Sequence, residues 1–129
     1  MDRTLTLAAD DRRRIELTID ATGWSRCSLL RDNRRHYLGA ESITTLAARF
    51  ADAFADRAPR SDGEIDGRPI EWILSLSEAH CTLYLERGAA GWVLHIQSPD
   101  GKWIASAPIA ISRARDWVRQ LLDVRGKII

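Results

Sequence analysis

Apolar and polar residues alternate along most of residues 70–105, and the alternation is broken by short turns that contain glycine. Successive side chains of a β-strand point to opposite faces, so this period of two predicts half-buried strands. The turns are too short for a parallel return, which needs about a dozen residues, and the strands must therefore be antiparallel. The expected inward set is Ile70, Trp72, Leu74, Leu76, Cys81, Leu83, Leu85, Trp92, Leu94, Ile96 and Trp103.

The first half of the chain predicts three further strands and a helix. "RRIELTID", "WSRCSLLRD" and "RRHYLG" have strand patterns, and the pair Asp32–Asn33 is suited to a turn between the last two. Residues 43–54 then carry apolar side chains at helical spacing, with Ser42 as the expected N-cap and Pro59 limiting any continuation. Residues 58–69 are predicted to form a loop.

A second helix is predicted from Ser112, with Trp117 on its apolar stripe and Gly126 as its stop. The predicted order is β-β-β-α-β-β-β-β-α, with no internal repeat. This order indicates an α+β fold, in which two amphipathic helices pack on one face of an antiparallel sheet. The length of 129 residues predicts a single domain, 1–129.

Composition argues against several classes of function. The net charge of +1 gives no general attraction to nucleic acid or to a membrane surface, and we find no apolar run long enough for a membrane span. The first residues, "MDRTLTLAADDRRR", lack the apolar core of a signal peptide, so we expect a cytoplasmic protein. Cys27 and Cys81 are expected to be buried free thiols, because their spacing fits neither a zinc site nor a redox motif.

The opposite parity of the predicted sheet is half apolar, which is unusual for a face left to solvent. Such a face is typical of a protein interface, either with another protein or with a second copy in a homodimer. A plain exposed face with scattered apolar residues is the alternative. The predicted partner-binding residues on this face are Ile73, His80, Thr82, Tyr84, Val93 and His95.

The segment "RDNRRHY" is the one local basic cluster. Arg31, Arg34 and Arg35 are predicted to contribute to partner binding, and with His36 and Tyr37 they could instead bind the phosphates and bases of nucleic acid. Arginines at a hairpin tip also keep an edge strand from unwanted pairing.

The sequence predicts no cofactor, metal or catalytic residue. His80 and His95 could approach one another with a glutamate, but no metal-ligand motif accompanies them. No serine lies at the sharp turn that activates a nucleophile. The excess of arginine, with Lys102 and Lys127 the only lysines, favours a GC-rich bacterial source.

We therefore expect a non-enzymatic bacterial protein-binding module. Its predicted element order is similar to that of small bacterial immunity proteins and of secretion chaperones, which implies a toxin or a secreted effector as the partner. One alternative is a small-ligand binder or an enzyme, with a pocket between sheet and helices near Trp24 or Cys27. The other is nucleic-acid binding through the arginine hairpin at 31–37.

Overall fold

The computed structural model describes residues 2–128, with side chains described except at 121, 122 and 124–128. The elements in chain order are β1 (Arg3–Ala9), β2 (Arg13–Ile19), β3 (Trp24–Arg31), β4 (Arg34–Ser42), α1 (Ile43–Phe54), β5 (Gly63–Ile65), β6 (Arg68–Ser75), β7 (Thr82–Gly88), β8 (Gly91–Gln97), β9 (Trp103–Ala110) and α2 (Ile111–Ile128). The predicted α+β class with antiparallel strands is confirmed.

The strands form two sheets, where one sheet was expected. β1 to β4 form a four-stranded sheet and β5 to β9 form a five-stranded sheet, each in sequence order. Two of the strands were not predicted: β1, whose leucines and threonines alternate over only a few residues, and β5. The predicted loop at 58–69 is wrong over Gly63–Ile65 and at 68–69, because β5 pairs there with the start of β6.

The element order repeats within the chain, although the sequence carries no visible repeat. A four-stranded meander followed by a helix occurs as β1 to β4 with α1, and again as β6 to β9 with α2. Each helix begins directly after the last strand of its meander. The repeat is therefore one of topology, and it is invisible to a search for similar residues.

The helices of the two halves meet over one shared core. The ring of Phe50 in α1 lies edge-on to the Trp117 ring in α2, with centroids 4.6 Å apart. The indole Nε1 of Trp117 donates a hydrogen bond of 2.9 Å to the carbonyl of Leu7 in β1. Because α2 follows β9, this bond joins the last element of the second half to the first strand of the first half.

The predicted start of the first helix is confirmed, and the predicted stop of the second helix is wrong. The hydroxyl of Ser42 accepts a hydrogen bond from the backbone N–H of Thr45, as an N-cap does. The second helix, α2, was predicted to stop at Gly126 but continues to Ile128. Leu121 and Leu122 continue the apolar spacing of this helix in the sequence, and their side chains lie outside the described part of the structure.

A second junction joins β4 to the segment after β6. Ala40 and Ser77 exchange backbone hydrogen bonds of 3.1 and 2.9 Å. Gly39, next to them, has φ of +129°, and a Cβ placed there would lie 2.5 Å from both the Leu76 Cβ and the Ser77 carbonyl oxygen. The absence of a side chain at Gly39 is thus what lets the two sheets approach.

We expect Gly39→Ala to lower the free energy of unfolding by about 2–4 kcal/mol, because the new methyl group meets backbone and the positive φ strains any L-residue. Urea denaturation measures the change. Gly101→Ala is the matched control, since Gly101 also has a positive φ but a Cβ there has open space. Equal losses in the two variants would show that close approach at Gly39 contributes nothing.

Candidate functional site

The candidate site is the side of β7, β8 and β9 that faces away from the helices, which we call the outer face. Strand register arranges it in three cross-strand rows, because residues directly opposite one another share a face. The inward parity of the same strands is buried, as at Leu83, Leu94 and Ala107. The rows of the outer face are Glu86–Val93–Pro108, Tyr84–His95–Ser106 and Thr82–Gln97–Trp103.

The prediction that Trp103 points into the core is wrong. A β-bulge falls between Ile96 and Gln97, so Gln97 pairs with Trp103 and Ile104 is the extra residue of β9. An extra residue reverses the side-chain alternation beyond it. Trp103 is therefore on the outer face and 37% exposed.

The expected exposure of Ile73 is wrong for the same physical reason. A bulge in β6 between Trp72 and Leu74 makes Ile73 the unpaired extra residue, and its side chain is buried at 2% exposure. Ile73 is therefore not available on the surface to contact a partner.

His95 lies on the outer face as predicted, but the expectation that it is exposed is wrong. Its side chain is covered by its neighbours, and the residue is only 3% exposed. The Trp103 ring lies edge-on to the imidazole with centroids 6.0 Å apart, and also edge-on to the Tyr84 ring at 5.3 Å. These three rings form a small cluster on the outer face, the aromatic cluster.

A chain of hydrogen bonds holds the His95 imidazole in place. Its Nε2 lies 2.9 Å from Glu86 Oε1 and its Nδ1 lies 2.6 Å from the Ser106 hydroxyl. A carboxylate only accepts, so Nε2 donates to Glu86 and Nδ1 accepts from the Ser106 hydroxyl in the neutral ring. Both imidazole nitrogens are satisfied, which fixes the ring beside Trp103.

Glu86 is the charge at the centre of this network, and it is neutralised. Arg68 Nε donates to Glu86 Oε2 at 2.7 Å, while His95 occupies the other oxygen. The hydrogen bond from Arg68, supported by that from His95, lowers the pKa of the Glu86 carboxyl below its usual value of 4.5. The outer face therefore presents little uncompensated charge at its centre.

Ser106, His95 and Glu86 are hydrogen-bonded in the same order as the nucleophile, the base and the orienting acid of serine hydrolases. Ser106 lies within β9, however, and not at a strand-to-helix turn that would raise its hydroxyl beside amide donors for an oxyanion. His95 is also nearly sealed from solvent. We therefore interpret the network as support for the aromatic cluster.

An apolar cavity of about 300 Å³ adjoins the Val93–Pro108 pair at one end of the outer face. Trp92 contributes to its wall, and the indole Nε1 of Trp92 is buried without an acceptor among the described residues. The lining residues are Gly88, Ala90, Gly91, Trp92, Val93, Pro108, Ile109 and Ala110.

Two other predicted site residues, Thr82 and His80, are not members of the aromatic cluster. Thr82 is half-buried in β7, where its hydroxyl bonds that of Ser75, and His80 lies in the segment before β7. The strand register does not bring His80 opposite His95, whose neighbours are Tyr84 and Ser106. No group of histidine, cysteine and acidic side chains able to hold a metal occurs among the residues that the structure describes.

The predicted arginines, and the residues near which the alternative pocket was expected, also lie away from the aromatic cluster. Arg31, Arg34 and Arg35 are on the four-stranded sheet, at the β3–β4 hairpin. Near the suggested pocket, Cys27 is a fully buried free thiol, as predicted, and burial together with the neighbouring Cys81 raises its pKa to about 12. A thiol with so high a pKa is a poor nucleophile.

A comparison with protein-family models finds no match for this chain, and a search of curated proteins finds none. Neither helix, over the residues described, is long and apolar enough to cross a membrane. The geometry of the outer face is therefore the basis on which a function can be proposed.

We expect Glu86→Gln to lower the free energy of unfolding at neutral pH by about 1 kcal/mol, since charged hydrogen bonds to Arg68 and His95 become neutral ones. The pKa of Glu86 is lowered in the folded chain, so its stabilisation is complete above the usual value of 4.5 and is lost as pH falls through the lowered value. Urea denaturation of both proteins from pH 7 downward should therefore show the difference shrinking in acid.

Glu64→Gln is the control, because Glu64 is exposed on β5 and has no ion pair in the described structure. It should change stability little at any pH. A difference between wild type and Glu86→Gln that persists undiminished in acid would contradict the assigned network.

Proposed function

We propose that this chain binds a protein partner, a bacterial toxin or a secreted effector, through the outer face of its five-stranded sheet. The observation that carries the proposal is the exposed Trp103 ring, held edge-on by Tyr84 on a face whose central carboxylate is already neutralised. Protein interfaces are enriched in tryptophan and tyrosine at their centre and depleted in charge there.

The aromatic cluster supports binding because it is ordered before a partner arrives. Trp103 contacts both Tyr84 and His95, and His95 is fixed at both ring nitrogens. An anchor that is already positioned loses little conformational freedom on association. Tryptophan and tyrosine are also the residues whose truncation most often costs the largest share of binding energy.

The cavity beside Val93 and Pro108 supports the same face. It adjoins the row next to the aromatic cluster and has an almost wholly apolar wall. An aliphatic or aromatic side chain from a partner would fit this volume. The partner surface expected is therefore apolar, with few charges of its own.

Some of the predicted binding residues lie within the proposed interface, and the others lie outside it. Tyr84 and Val93 belong to the proposed interface, with Thr82 at its margin and His95 as a positioning residue beneath Trp103. His80 precedes β7 and is not part of the aromatic cluster. The three predicted arginines lie on the other sheet, so we do not include them in this interface.

The test compares Trp103→Arg with Tyr37→Arg in binding to any toxin or secreted effector that the neighbouring genes encode. Both variants replace an exposed aromatic ring, but Tyr37 lies on the four-stranded sheet. Isothermal titration calorimetry should give at least a ~30-fold weaker complex for Trp103→Arg, the cost of losing a central anchor of about 2 kcal/mol. Tyr37→Arg should bind as the wild type does.

Sedimentation equilibrium of the chain alone completes the test. A homodimer that Trp103→Arg dissociates, with no binding to those toxins or effectors, would identify a second copy as the occupant and refute the proposed partner. Equal binding by wild type and Trp103→Arg would refute the outer face as the interface.

A further inference from the structure

The two arginine-rich segments of the sequence meet at one end of the four-stranded sheet. "DDRRR" forms the β1–β2 turn and the start of β2, and "RDNRR" forms the β3–β4 hairpin. Asp32 and Asn33 have φ of +53° and +61°, as a two-residue hairpin turn requires, so Arg31 and Arg34 lie directly opposite one another. The predicted turn at Asp32–Asn33 is confirmed, and the proximity of the two segments was not predicted.

Strand register places three of these arginines in one row. Arg13 pairs with Arg31, and Arg31 pairs with Arg34. The row has the same parity as Ile15 and Leu29, so it continues the core-facing side of the sheet beyond the end of the core. Directly opposite residues have Cβ atoms about 5 Å apart, and like charges at that spacing destabilise a sheet.

The carboxylates of this region leave much of that charge uncompensated. Asp10 accepts from the backbone N–H groups of Arg12 and Arg13 at 2.9 and 2.8 Å, and it lies 3.8 Å from Arg13 Nε. Neither Arg31 nor Arg34 has an ion pair within the described part of the chain. The row is therefore a cationic surface in which Arg13 alone has an ion pair among the described residues.

Two other nearby arginines, Arg14 and Arg35, are paired with Glu16 on the opposite face. Arg14 Nε lies 2.9 Å from Glu16 Oε2, and Arg35 Nη2 lies 3.4 Å from Glu16 Oε1. Glu16 is buried beneath these two guanidinium groups. Arginines on that face are thus paired with a buried carboxylate, whereas Arg31 and Arg34 in the row are not.

An open cavity of about 580 Å³ lies at this end of the sheet, between the two turns. Arg12, Arg13, Arg14 and Arg31 line it together with the carboxylates of Asp10, Asp11 and Asp32. The three carboxylates weaken the attraction of the cavity for an anion, but the four arginines outnumber them among the lining residues.

We propose that the row of Arg13, Arg31 and Arg34 binds an oligophosphate group, that is, two or more linked phosphates. Two intervals of about 5 Å make the row about 10 Å long, which exceeds one phosphate and suits several in succession. The planar guanidinium fork matches phosphate oxygens in geometry as well as in charge. Such an anion would relieve the repulsion within the row, and the site is independent of the outer face.

The primary experiment is calorimetric titration of the full chain with inorganic tripolyphosphate. The double variant Arg31→Gln, Arg34→Gln should weaken binding at least ~10-fold, since two charge-assisted contacts are lost. The control Arg26→Gln, Arg119→Gln removes the same charge from exposed positions outside the row, and it should change affinity less than about twofold. Without ligand, the Arg31→Gln, Arg34→Gln variant should unfold at an equal or higher temperature, because the row then loses its repulsion.

Asp32→Asn provides a test in the opposite direction. Asparagine tolerates the positive φ of this position, so the turn should be kept while a repelling carboxylate is removed. Tripolyphosphate affinity should rise about threefold or more.

A labelled single-stranded oligonucleotide distinguishes the source of the phosphates. If it binds and tripolyphosphate displaces it, the row binds a nucleic-acid backbone; if only tripolyphosphate binds, the row recognises a small phosphorylated ligand. Both results support the site. No binding of tripolyphosphate, or an equal loss of affinity in the two double variants, would overturn it.

Discussion

The register of β7, β8 and β9 is the constraint on which the outer face depends. Side chains alternate strictly along a strand, so each pairing decides at once which residues enter the core and which reach the surface. The bulge between Ile96 and Gln97 reverses that choice at the start of β9. Without it, Trp103 would have the parity of the core and the aromatic cluster could not form.

The outer face is supported by a core that both halves of the chain build. Trp117 packs against Phe50 and donates to the Leu7 carbonyl, so the last helix is fixed to the first strand. Ala40 and Ser77 join the sheets at a second place. Side chains positioned by strands on such a core are held more firmly than side chains on loops, which suits the preorganised surface that binding favours.

Local signals in the sequence predicted much of the fold. Ser42 caps α1 because its hydroxyl meets a nearby N–H, and Asp32–Asn33 turns because both residues tolerate a positive φ. These features depend on neighbouring residues alone. The α+β class followed from the same kind of signal, the change of period between strands and helices.

The features that the sequence did not predict depend on distant pairing. A bulge is defined only against its partner strand, so the burial of Ile73 and the exposure of Trp103 could not be read from alternation. The proximity of the two arginine segments likewise required the β2–β3 register. The hydrogen bonds of His95 join strands β7, β8 and β9, and no sequence motif predicts them.

The central claim is that Trp103 is presented on the outer face while Trp117 is sealed in the core. Hydroxyl-radical footprinting of the dilute, isolated chain, read by mass spectrometry, tests it residue by residue. Trp103 should be oxidised fastest of the five tryptophans and Trp117 slowest, in keeping with exposures of 37% and 4%. A protected Trp103, or a Trp117 oxidised as readily, would contradict the register and the binding face that follows from it.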